Sequence, residues 1–314
     1  MKTIRILFMA ASTRICLLER FYSAAKDLGI RLEVFDFENN IPWHTSGLSG
    51  LAKLVPAPVF SDLDFTEFIS NFVKENQIDI VIPIIDKAMI ALARAAPKLK
   101  AQGAMPVVSG LEECEIMTDK VRSDTFFRKA GLNVPSTNKF PLLAKPRLGA
   151  SSKGIINLKD QKEFDFWRKR NKAEDFMIQS FITGKEYSVD AYIDSKSTIL
   201  GIVSRTRIAV SGGEVMVTIT EHNDDIIFEA EKLLKIAKWY GPMTIQYIHD
   251  GKKAWLIECN PRFGGGVTCS IEAGLSIPEW ILRERLGLTM PKDIISWRNG
   301  LCMTRARKDY FLWL

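Results

Sequence analysis

The first third of the chain alternates short apolar runs with stretches of helical spacing, and this alternation constrains the fold more than any other feature. The apolar runs predict buried strands at Ile4–Met9, Arg31–Phe35, Ile78–Ile85 and Pro106–Ser109. The stretches between them predict helices at Leu17–Leu28, Asp64–Asn76 and Ala88–Ala101. Because parallel strands need a crossover connection, usually a helix, the pattern predicts a doubly wound parallel sheet. The region from Ile41 to Pro58, rich in Pro, Ser and Gly, is predicted to be a loop.

The turn after the first strand, Ala10–Arg14, lacks the Gly-x-Gly-x-x-Gly pattern that dinucleotide binding requires. The sequence therefore predicts a Rossmann-like architecture without NAD binding. Ser12, Thr13 and Arg14 leave two interpretations open. They form either a cradle for a small anion at the start of the next helix or an ordinary turn with an N-cap.

Beyond about Leu111 the organisation changes, and most of the predicted elements are strands. These strands are Leu142–Pro146, Ile155–Leu158, Phe176–Phe181, Glu186–Ile193, Ile199–Arg207, Glu214–Thr220, Met243–His249 and Ala254–Glu258. Helices are predicted at Met117–Ala130, Ile226–Trp239 and Ser276–Leu286, with Arg305–Leu314 as a final strand or cap. The loop Gly149–Gly154 consists mostly of small residues, which is typical of a flexible flap whose N–H groups and hydroxyls bind phosphates.

The stretch Leu256–Gly266 combines several groups that handle phosphates. Glu258 and Asn260 are two positions apart at the end of a predicted strand, so both side chains leave the same face. A carboxylate beside an amide oxygen suits Mg²⁺ that carries nucleotide phosphates. Arg262 adds a fixed positive charge, and the glycines after it let the backbone approach a ligand closely. The stretch indicates phosphoryl transfer; the alternative is a strand that ends in a solvated glycine turn.

The composition is typical of a globular protein with two or three modest domains, at 314 residues and a net charge of +6. No apolar run reaches the roughly 20 residues of a membrane span. Five cysteines without close pairs predict reduced thiols and a cytoplasmic protein, and three scattered histidines argue against a zinc site. The basic residues are dispersed apart from Arg168–Lys172, so we expect neither a nucleic-acid nor a membrane partner.

Short motifs follow one another in a fixed order through the second part of the chain. They are Asp119-Lys120, Lys145-Pro146-Arg147 with the Gly149–Gly154 loop, Gln179–Ile182 with Gly184–Tyr187, Gln246, and Glu258–Gly266. In this order they resemble the ATP-grasp superfamily, and within it the carbamoyl-phosphate-synthase-like branch of short, free-standing ligases. The resemblance covers nearly the whole chain.

The resemblance implies an α/β and α+β fold with two domains. A Rossmann-like pre-ATP-grasp domain is expected over residues 1–112 and a two-lobed ATP-grasp domain over residues 113–314. The first lobe, 113–182, would carry the phosphate flap. The second lobe, 183–314, would carry the metal site and a C-terminal cap.

The same resemblance assigns roles to individual residues. ATP would be bound by Lys120, Lys145, Ser151, Ser152, Gly154, Gln179, Ser180, Phe181, Ile182, Glu186 and Asn260. One or two Mg²⁺ ions, with Mn²⁺ as an alternative, would be held by Gln246, Glu258 and Asn260. Arg262 and Lys145 would be the catalytic cations. Phe181 has a second interpretation as a plain core residue, and Lys120 as a solvated helix residue.

The substrate pocket is less well defined by the sequence. Arg205 and Arg207 are two positions apart on a predicted strand, so they share a face and form a candidate carboxylate clamp. The alternative is a solvated strand edge. Gly264 and Gly265 are expected to shape the pocket of the acceptor.

The implied activity is ATP-dependent ligation, in which a small-molecule carboxylate becomes an acyl-phosphate and is transferred to an amine or a similar nucleophile. Two alternatives stay open at this stage. One is a subunit that makes carbamoyl phosphate from bicarbonate and ammonia with the help of partner chains. The other is a catalytically silent ATP-binding module. A homodimer is expected from the resemblance alone.

Overall fold

The computed structural model describes residues 1–39, 44–149, 153–290, 296–311 and 313. The first part of the chain forms a five-stranded sheet with the strand order β3-β2-β1-β4-β5. Its strands are β1 Thr3–Met9, β2 Arg31–Glu38, β3 Lys53–Pro56, β4 Ile80–Pro83 and β5 Met105–Pro106. Its helices are α1 Ile15–Asp27, α2 Thr45–Leu48, α3 Phe65–Glu75 and α4 Asp86–Ala101. All strand pairs are parallel, which confirms the predicted doubly wound sheet.

Helices cover both faces of this sheet because β1 is apolar on both faces. Ile4, Ile6 and Phe8 pack into one core together with residues of α1. Leu7 and Met9 point the other way and pack into a second core with residues of α3 and α4. Successive side chains of a strand alternate between faces, so a continuous apolar run predicts burial on both sides.

The prediction of a loop from Ile41 to Pro58 is wrong for part of that region, since α2 and β3 form there. The buried Asp36 carboxylate, at the end of β2, accepts a hydrogen bond from Ser46 Oγ at 2.6 Å and so fixes α2 against the sheet. Strand β3 pairs with β2 alone and forms the edge. Neither contact is visible in the local composition. Residues 40–43 lie outside the described part of the chain.

Two helices replace the single helix predicted at Met117–Ala130. They are α5 Leu111–Thr118 and α6 Lys120–Lys129. Asp119 interrupts them with an extended backbone, and its carboxylate accepts hydrogen bonds from the N–H groups of Val121 and Arg122 as the N-cap of α6. Arg147 also binds this carboxylate, at 2.8 Å from its Nε. Asp119, whose carboxylate Arg147 holds from a distant part of the chain, therefore separates the end of α5 from the start of α6.

A three-stranded antiparallel sheet follows, in the order β7-β6-β8. It contains β6 Leu142–Pro146, β7 Ile156–Leu158 and β8 Phe176–Ser180, with α7 Gln161–Arg168 after β7. Its small core is built from Leu142, Ala144, Leu158 and Trp167. This sheet carries Lys145 on its central strand and Gln179 on the neighbouring strand.

The third sheet is antiparallel and has six strands in the order β13-β12-β9-β10-β11-β14. Its strands are β9 Lys185–Ile193, β10 Ile199–Ser211, β11 Glu214–Thr220, β12 Gly241–His249, β13 Ala254–Asn260 and β14 Cys302–Thr304. The associated helices are α8 Asp224–Lys235, α9 Val267–Ala273 and α10 Ile277–Leu286. Of the two expectations for Arg305–Leu314, a final strand or a cap, the strand does not form in the described residues 305–311 and 313; the last strand is β14, which pairs with β11.

Helix α10 joins the six-stranded sheet to the first sheet. Trp280 and Ile281 belong to the same buried core as Phe8. Arg285 donates to the Asp79 carboxylate from both Nε, at 3.0 Å, and Nη2, at 2.6 Å. The predicted domain boundary at residues 112 and 113 falls inside α5 and stays a prediction. No helix in the described part of the chain is long and apolar enough to cross a membrane.

Candidate active site

A cleft of about 360 Å³ is lined by residues of the three-stranded and six-stranded sheets and by residues of helices α4, α5 and α6. Asp86 comes from the start of α4, Lys145 and Gln179 from the three-stranded sheet, and Glu186 and Glu258 from the six-stranded sheet. Residues predicted to bind ATP and metal are therefore brought together although they lie far apart in the chain. Those that line the cleft are Lys120, Lys145, Gln179, Ser180, Phe181, Ile182, Glu186, Gln246, Glu258 and Asn260.

Two lysines bring positive charge into the cleft. Lys145 is buried on β6, and its Nζ donates to Gln179 Oε1 at 2.8 Å. Burial lowers the pKa of Lys145 to about 8; the nearby Glu258 raises this pKa and Lys120 lowers it. Lys120 begins α6, and its Nζ donates to the carbonyl of Gly149 at 2.6 Å. A buried ammonium with one neutral partner is suited to binding an anion.

The predicted phosphate flap contributes its two ends to the cleft. Gly149, Lys153 and Ile155 line the cleft. Gly154 has a φ of +74°, a left-handed conformation that favours glycine. Ser151 and Ser152, which the sequence predicts as phosphate ligands, lie outside the described residues.

The segment Gln179–Ile182, which the resemblance assigns to ATP binding, lies at the end of β8, and its N–H groups differ in their hydrogen-bond partners. The N–H of Ser180 donates to Ser136 O at 2.6 Å, and the N–H of Phe181 donates to Pro141 O at 2.8 Å. The N–H of Ile182 has no acceptor among the described residues and lines the cleft. Phe181 is 45% exposed, so its interpretation as a plain core residue is wrong.

Glu186, which the resemblance assigns to ATP binding, is exposed and lines the cleft. One of its carboxylate oxygens lies 3.3 Å from Arg207 Nε. Arg207 also lines the cleft, and its Nη1 donates to Ser188 Oγ at 3.4 Å. The carboxylate thus lies close to one guanidinium and stays largely exposed to solvent.

The oxygens of the predicted metal site lie on two paired strands. Gln246 of β12 is the register partner of Glu258 of β13. Asn260 Nδ2 donates to Glu258 Oε1, which leaves Asn260 Oδ1 pointing away from it. In the described ranges no three His, Cys, Asp or Glu side chains gather into a metal cluster. One carboxylate and two amide oxygens fit Mg²⁺, because this ion usually keeps several waters or phosphate oxygens as ligands.

Arg262 follows β13 and connects it with helix α4. Its Nε donates to the Asp86 carboxylate, and its Nη2 lies 3.3 Å from Asn260 Oδ1. Asp86 was missed by the sequence argument. The available signal was its position just beyond the buried strand β4, since side chains at the carboxyl ends of parallel strands commonly form sites.

Arg205 and Arg207, the predicted carboxylate clamp, leave β10 on the same face but meet different surroundings. Arg207 lines the cleft, whereas Arg205 is 1% exposed and donates from Nε to Asp190 Oδ2 at 2.8 Å. Asp190 also accepts hydrogen bonds from Thr244 Oγ1 at 2.8 Å and Ser270 Oγ at 2.6 Å. Since Asp190 ties Arg205 to β12 and α9, Arg205 supports the wall of the site. Its contact with a substrate stays a prediction.

The glycines after Arg262 lie close to other side chains. A Cβ on Gly264 would come within 2.4 Å of Thr244 Oγ1, and one on Gly266 within 2.6 Å of Arg205 Nη1. At Gly265 a Cβ would meet only Arg14 Nη1, at 3.6 Å. These distances show that the glycine backbone lies next to Thr244, Arg14 and Arg205. The expected role of Gly264 and Gly265 in the acceptor pocket stays a prediction.

Part of the chain matches a known protein family. Residues 172–308 match the family described as "ATP-grasp in the biosynthetic pathway with Ter operon". The carbamoyl phosphate synthase large chain of Clostridium beijerinckii is 21% identical over 230 residues, which cover 65% of this chain and 21% of that protein. The chain therefore spans about a fifth of the length of this curated relative.

Solved structures match over almost the full length. The biotin carboxylase domain of 2-oxoglutarate carboxylase from Hydrogenobacter thermophilus, solved with Mg-ADP and bicarbonate, has a TM-score of 0.72 at 19% identity. This match covers 94% of this chain and 72% of that one. L-amino acid ligase from Bacillus licheniformis has a TM-score of 0.66 at 20% identity, over 91% of this chain and 74% of that one. At these identities the likeness shows the fold, and it confirms the predicted fold class.

Proposed function

We propose that this chain is an ATP-grasp protein that works as an ATP-dependent carboxylate–amine ligase. The observation that carries the proposal is the single cleft in which Lys120 and Lys145 face Glu258 and Asn260. Cations for a polyphosphate and oxygens for its Mg²⁺ thus share one space. The adjacent Arg262 adds a guanidinium where charge would build up on the transferring group.

The cleft offers a separate contact for each part of ATP. The free N–H of Ile182 and the exposed face of Phe181 would receive the adenine ring. Glu186 would accept hydrogen bonds from the ribose hydroxyls. Lys145 and Lys120 would exchange their present partners, Gln179 and the Gly149 carbonyl, for phosphate oxygens. The flap around Gly154 would cover the phosphates.

Gln246, Glu258 and Asn260 would hold the magnesium ion, which supplies charge neutralisation for the β- and γ-phosphates when it is bound. In the first step a carboxylate oxygen of the substrate attacks the γ-phosphorus. The new O–P bond forms while the bond to the β,γ-bridging oxygen breaks, and ADP leaves with that electron pair. Arg262, held by Asp86, would stabilise the charge on the equatorial oxygens.

In the second step an amine nitrogen attacks the acyl carbon of the acyl-phosphate. The C–N bond forms, the C–O bond to phosphate breaks, inorganic phosphate leaves, and the amine loses a proton. No protein nucleophile is needed, so positioning and electrostatics supply the rate. The proposal agrees with the structural match to an L-amino acid ligase, which covers 91% of this chain and 74% of that one.

Bicarbonate is a second candidate for the activated carboxylate. The similarity to carbamoyl phosphate synthase and to a carboxylase domain solved with bicarbonate favours it. The match covers only 21% of the synthase, so the likeness does not extend to that protein's whole activity. We therefore rank it below ligation of an organic carboxylate.

The test is phosphate release from Mg-ATP in the presence of amino acids and small carboxylates, singly and in pairs, with bicarbonate included. Release that needs one carboxylate and one amine supports the ligase and identifies both substrates. Release with bicarbonate alone supports the second candidate. Binding of ATP without release across the panel would contradict both and favour a silent ATP-binding module.

Location and assembly remain predictions within this proposal. All five cysteines are free thiols, the state expected in the cytoplasm. A homodimer, Mn²⁺ in place of Mg²⁺, and a second metal ion are likewise expectations from the family resemblance. Size-exclusion chromatography with light scattering measures the first of these directly.

A further inference from the structure

We propose that one substrate of this enzyme carries an anionic group that does not react, a carboxylate or a phosphate, and that Arg14 binds it. The proposal rests on the proposed function, because it assigns a substrate class to the same site. Beyond the residues assigned to ATP and metal, it assigns substrate specificity to Arg14, in the turn between β1 and α1.

Arg14 reaches the ligase site from the start of α1. It is the residue directly before that helix, in the turn that follows β1. Its Nη1 lies 3.6 Å from the position that a Cβ on Gly265 would occupy. Gly265 has no side chain to fill this space and is partly exposed, so a ligand can approach the guanidinium over the glycine backbone.

Four arginines surround this glycine turn, and three of them have a carboxylate partner within the chain. Arg205 is paired with Asp190, and Arg262 with Asp86. Arg305 Nη1 donates to Glu214 at 3.0 Å, and its Nη2 donates to the Gly265 carbonyl. Arg14 forms neither an ion pair nor a side-chain hydrogen bond with any described residue. Of these four guanidinium groups, Arg14 is therefore the one without a carboxylate partner among the described residues.

The surroundings make an unpaired cation at this place costly. Burial lowers the pKa of Arg14 to about 10; Glu214 raises this pKa, and the positive charges of Arg262 and Arg305 lower it further. In addition, Arg205 Nη1 is buried and has no hydrogen-bond partner in the described structure. The positive potential of the cluster thus exceeds what its own carboxylates neutralise, which favours an anionic ligand.

The position of Arg14 relative to Arg262 indicates how the substrate lies. Arg262 contacts Asn260 at the end of β13 and the carbonyl of Phe263 at the start of the glycine turn. Arg14 meets the same turn two residues later, at Gly265. A substrate whose reacting group is at Arg262 therefore presents its other end to Arg14. A planar guanidinium binds carboxylate or phosphate oxygens in pairs, which gives this contact specificity as well as affinity.

The experiment is isothermal titration of the Mg-ADP complex with succinate and glutarate, each compared with its monoamide, and with inorganic phosphate. Each monoamide has nearly the shape of the diacid but lacks one charge. We expect wild type to bind at least one diacid, or phosphate, with an affinity that falls about tenfold or more in Arg14→Gln, since a charge-assisted hydrogen bond is lost. Arg14→Lys should recover part of the loss.

Arg31→Gln is the matched control, because it removes one arginine charge from an exposed position on the first sheet. A preference for a diacid over its monoamide indicates a carboxylate, and Arg14-dependent binding of phosphate indicates a phosphate group. Equal affinities for diacids and monoamides without Arg14-dependent phosphate binding would overturn the proposal. Failure of Mg-ADP to bind would instead contradict the proposed ligase, and the anion titration would still be measurable without nucleotide.

Discussion

At the scale of single residues, the cleft depends on cations that the fold has partly removed from water. Lys145 is the clearest case, since burial destabilises its charged form and lowers its pKa to about 8. Its neutral partner Gln179 compensates only in part. Such a lysine binds phosphate strongly when protonated and loses this attraction when it is neutral.

We expect the affinity of the free protein for ADP to fall as the pH rises through 8. The protonated form of Lys145 binds the phosphates, and its fraction falls about tenfold between pH 7 and pH 9 for a group with this pKa. Fluorescence titration at several pH values measures the effect. Lys145→Gln should bind more weakly at pH 7 and show no such slope; a flat wild-type profile would contradict the assignment.

Glu258 is the one carboxylate of the proposed metal site. Glu258→Gln keeps the shape of the side chain and an oxygen for Asn260, but removes the charge that attracts Mg²⁺. We expect Mg-ATP turnover to fall at least about a hundredfold, since metal-ion stabilisation is worth several kcal/mol, with an unchanged melting temperature. Glu231→Gln, which changes an exposed carboxylate on α8, should have no effect. Full activity of Glu258→Gln would remove this residue from the metal site.

At the scale of elements, the connection from β13 to α9 is shaped by contacts that only glycine allows. Gly264 faces Thr244 of β12, whose hydroxyl donates to Asp190 and is therefore fixed in place. The turn thus lies closely against the sheet and brings its backbone to the arginines. The Gly-Gly-Gly sequence indicates a close backbone approach, and the structure identifies the neighbours.

Gly264→Ala should destabilise the protein by about 1–3 kcal/mol, because its Cβ overlaps the fixed side chain of Thr244. Gly265→Ala is the matched control, since its Cβ has only an ordinary contact with Arg14 and should change the stability by about 0.5 kcal/mol or less. Urea unfolding followed by circular dichroism compares the two. Equal stabilities for both variants would show that the turn shifts without cost.

At the scale of the whole molecule, the site exists only while the first sheet and the six-stranded sheet are in contact. Arg14 and Asp86 lie at the starts of α1 and α4, the helices that pack on the first sheet. Arg262 and Gly265 directly follow β13 of the six-stranded sheet. The shared core of α1 and α10 maintains this contact, together with the ion pair between Arg285 and Asp79. Loosening that interface should therefore affect both stability and activity.

We expect Arg285→Ala to lower the free energy of unfolding by about 1–2 kcal/mol, because two charge-assisted hydrogen bonds to a half-buried carboxylate are lost. Arg283→Ala, on the same helix, loses a partly exposed pair with Glu279 and a hydrogen bond to the Thr289 carbonyl, and should cost about 1 kcal/mol or less. Thermal unfolding at low and high salt measures both. A cost for Arg285→Ala no larger than that of Arg283→Ala would exclude the interface role.

The sequence by itself determined the features that local patterns encode. Apolar runs placed β1 and β4, the period of two put Glu258 and Asn260 on one face, and motif order identified the fold. It failed where a distant partner decided the structure. Asp119 divides the predicted helix Met117–Ala130 because Arg147 holds its carboxylate, and α2 forms because Asp36 binds Ser46.

Only the tertiary structure decided which charges meet. Arg262 and Asp86 are 176 positions apart, and no periodicity in the chain relates them. Likewise, the sequence leaves Arg14 as either a turn residue or an anion ligand, whereas packing brings it beside Gly265 and gives the other three arginines their carboxylates. Local sequence fixes the period and burial of an element. The contacts between elements follow from how their apolar faces pack, so the balance of charge in the site is a property of the folded chain.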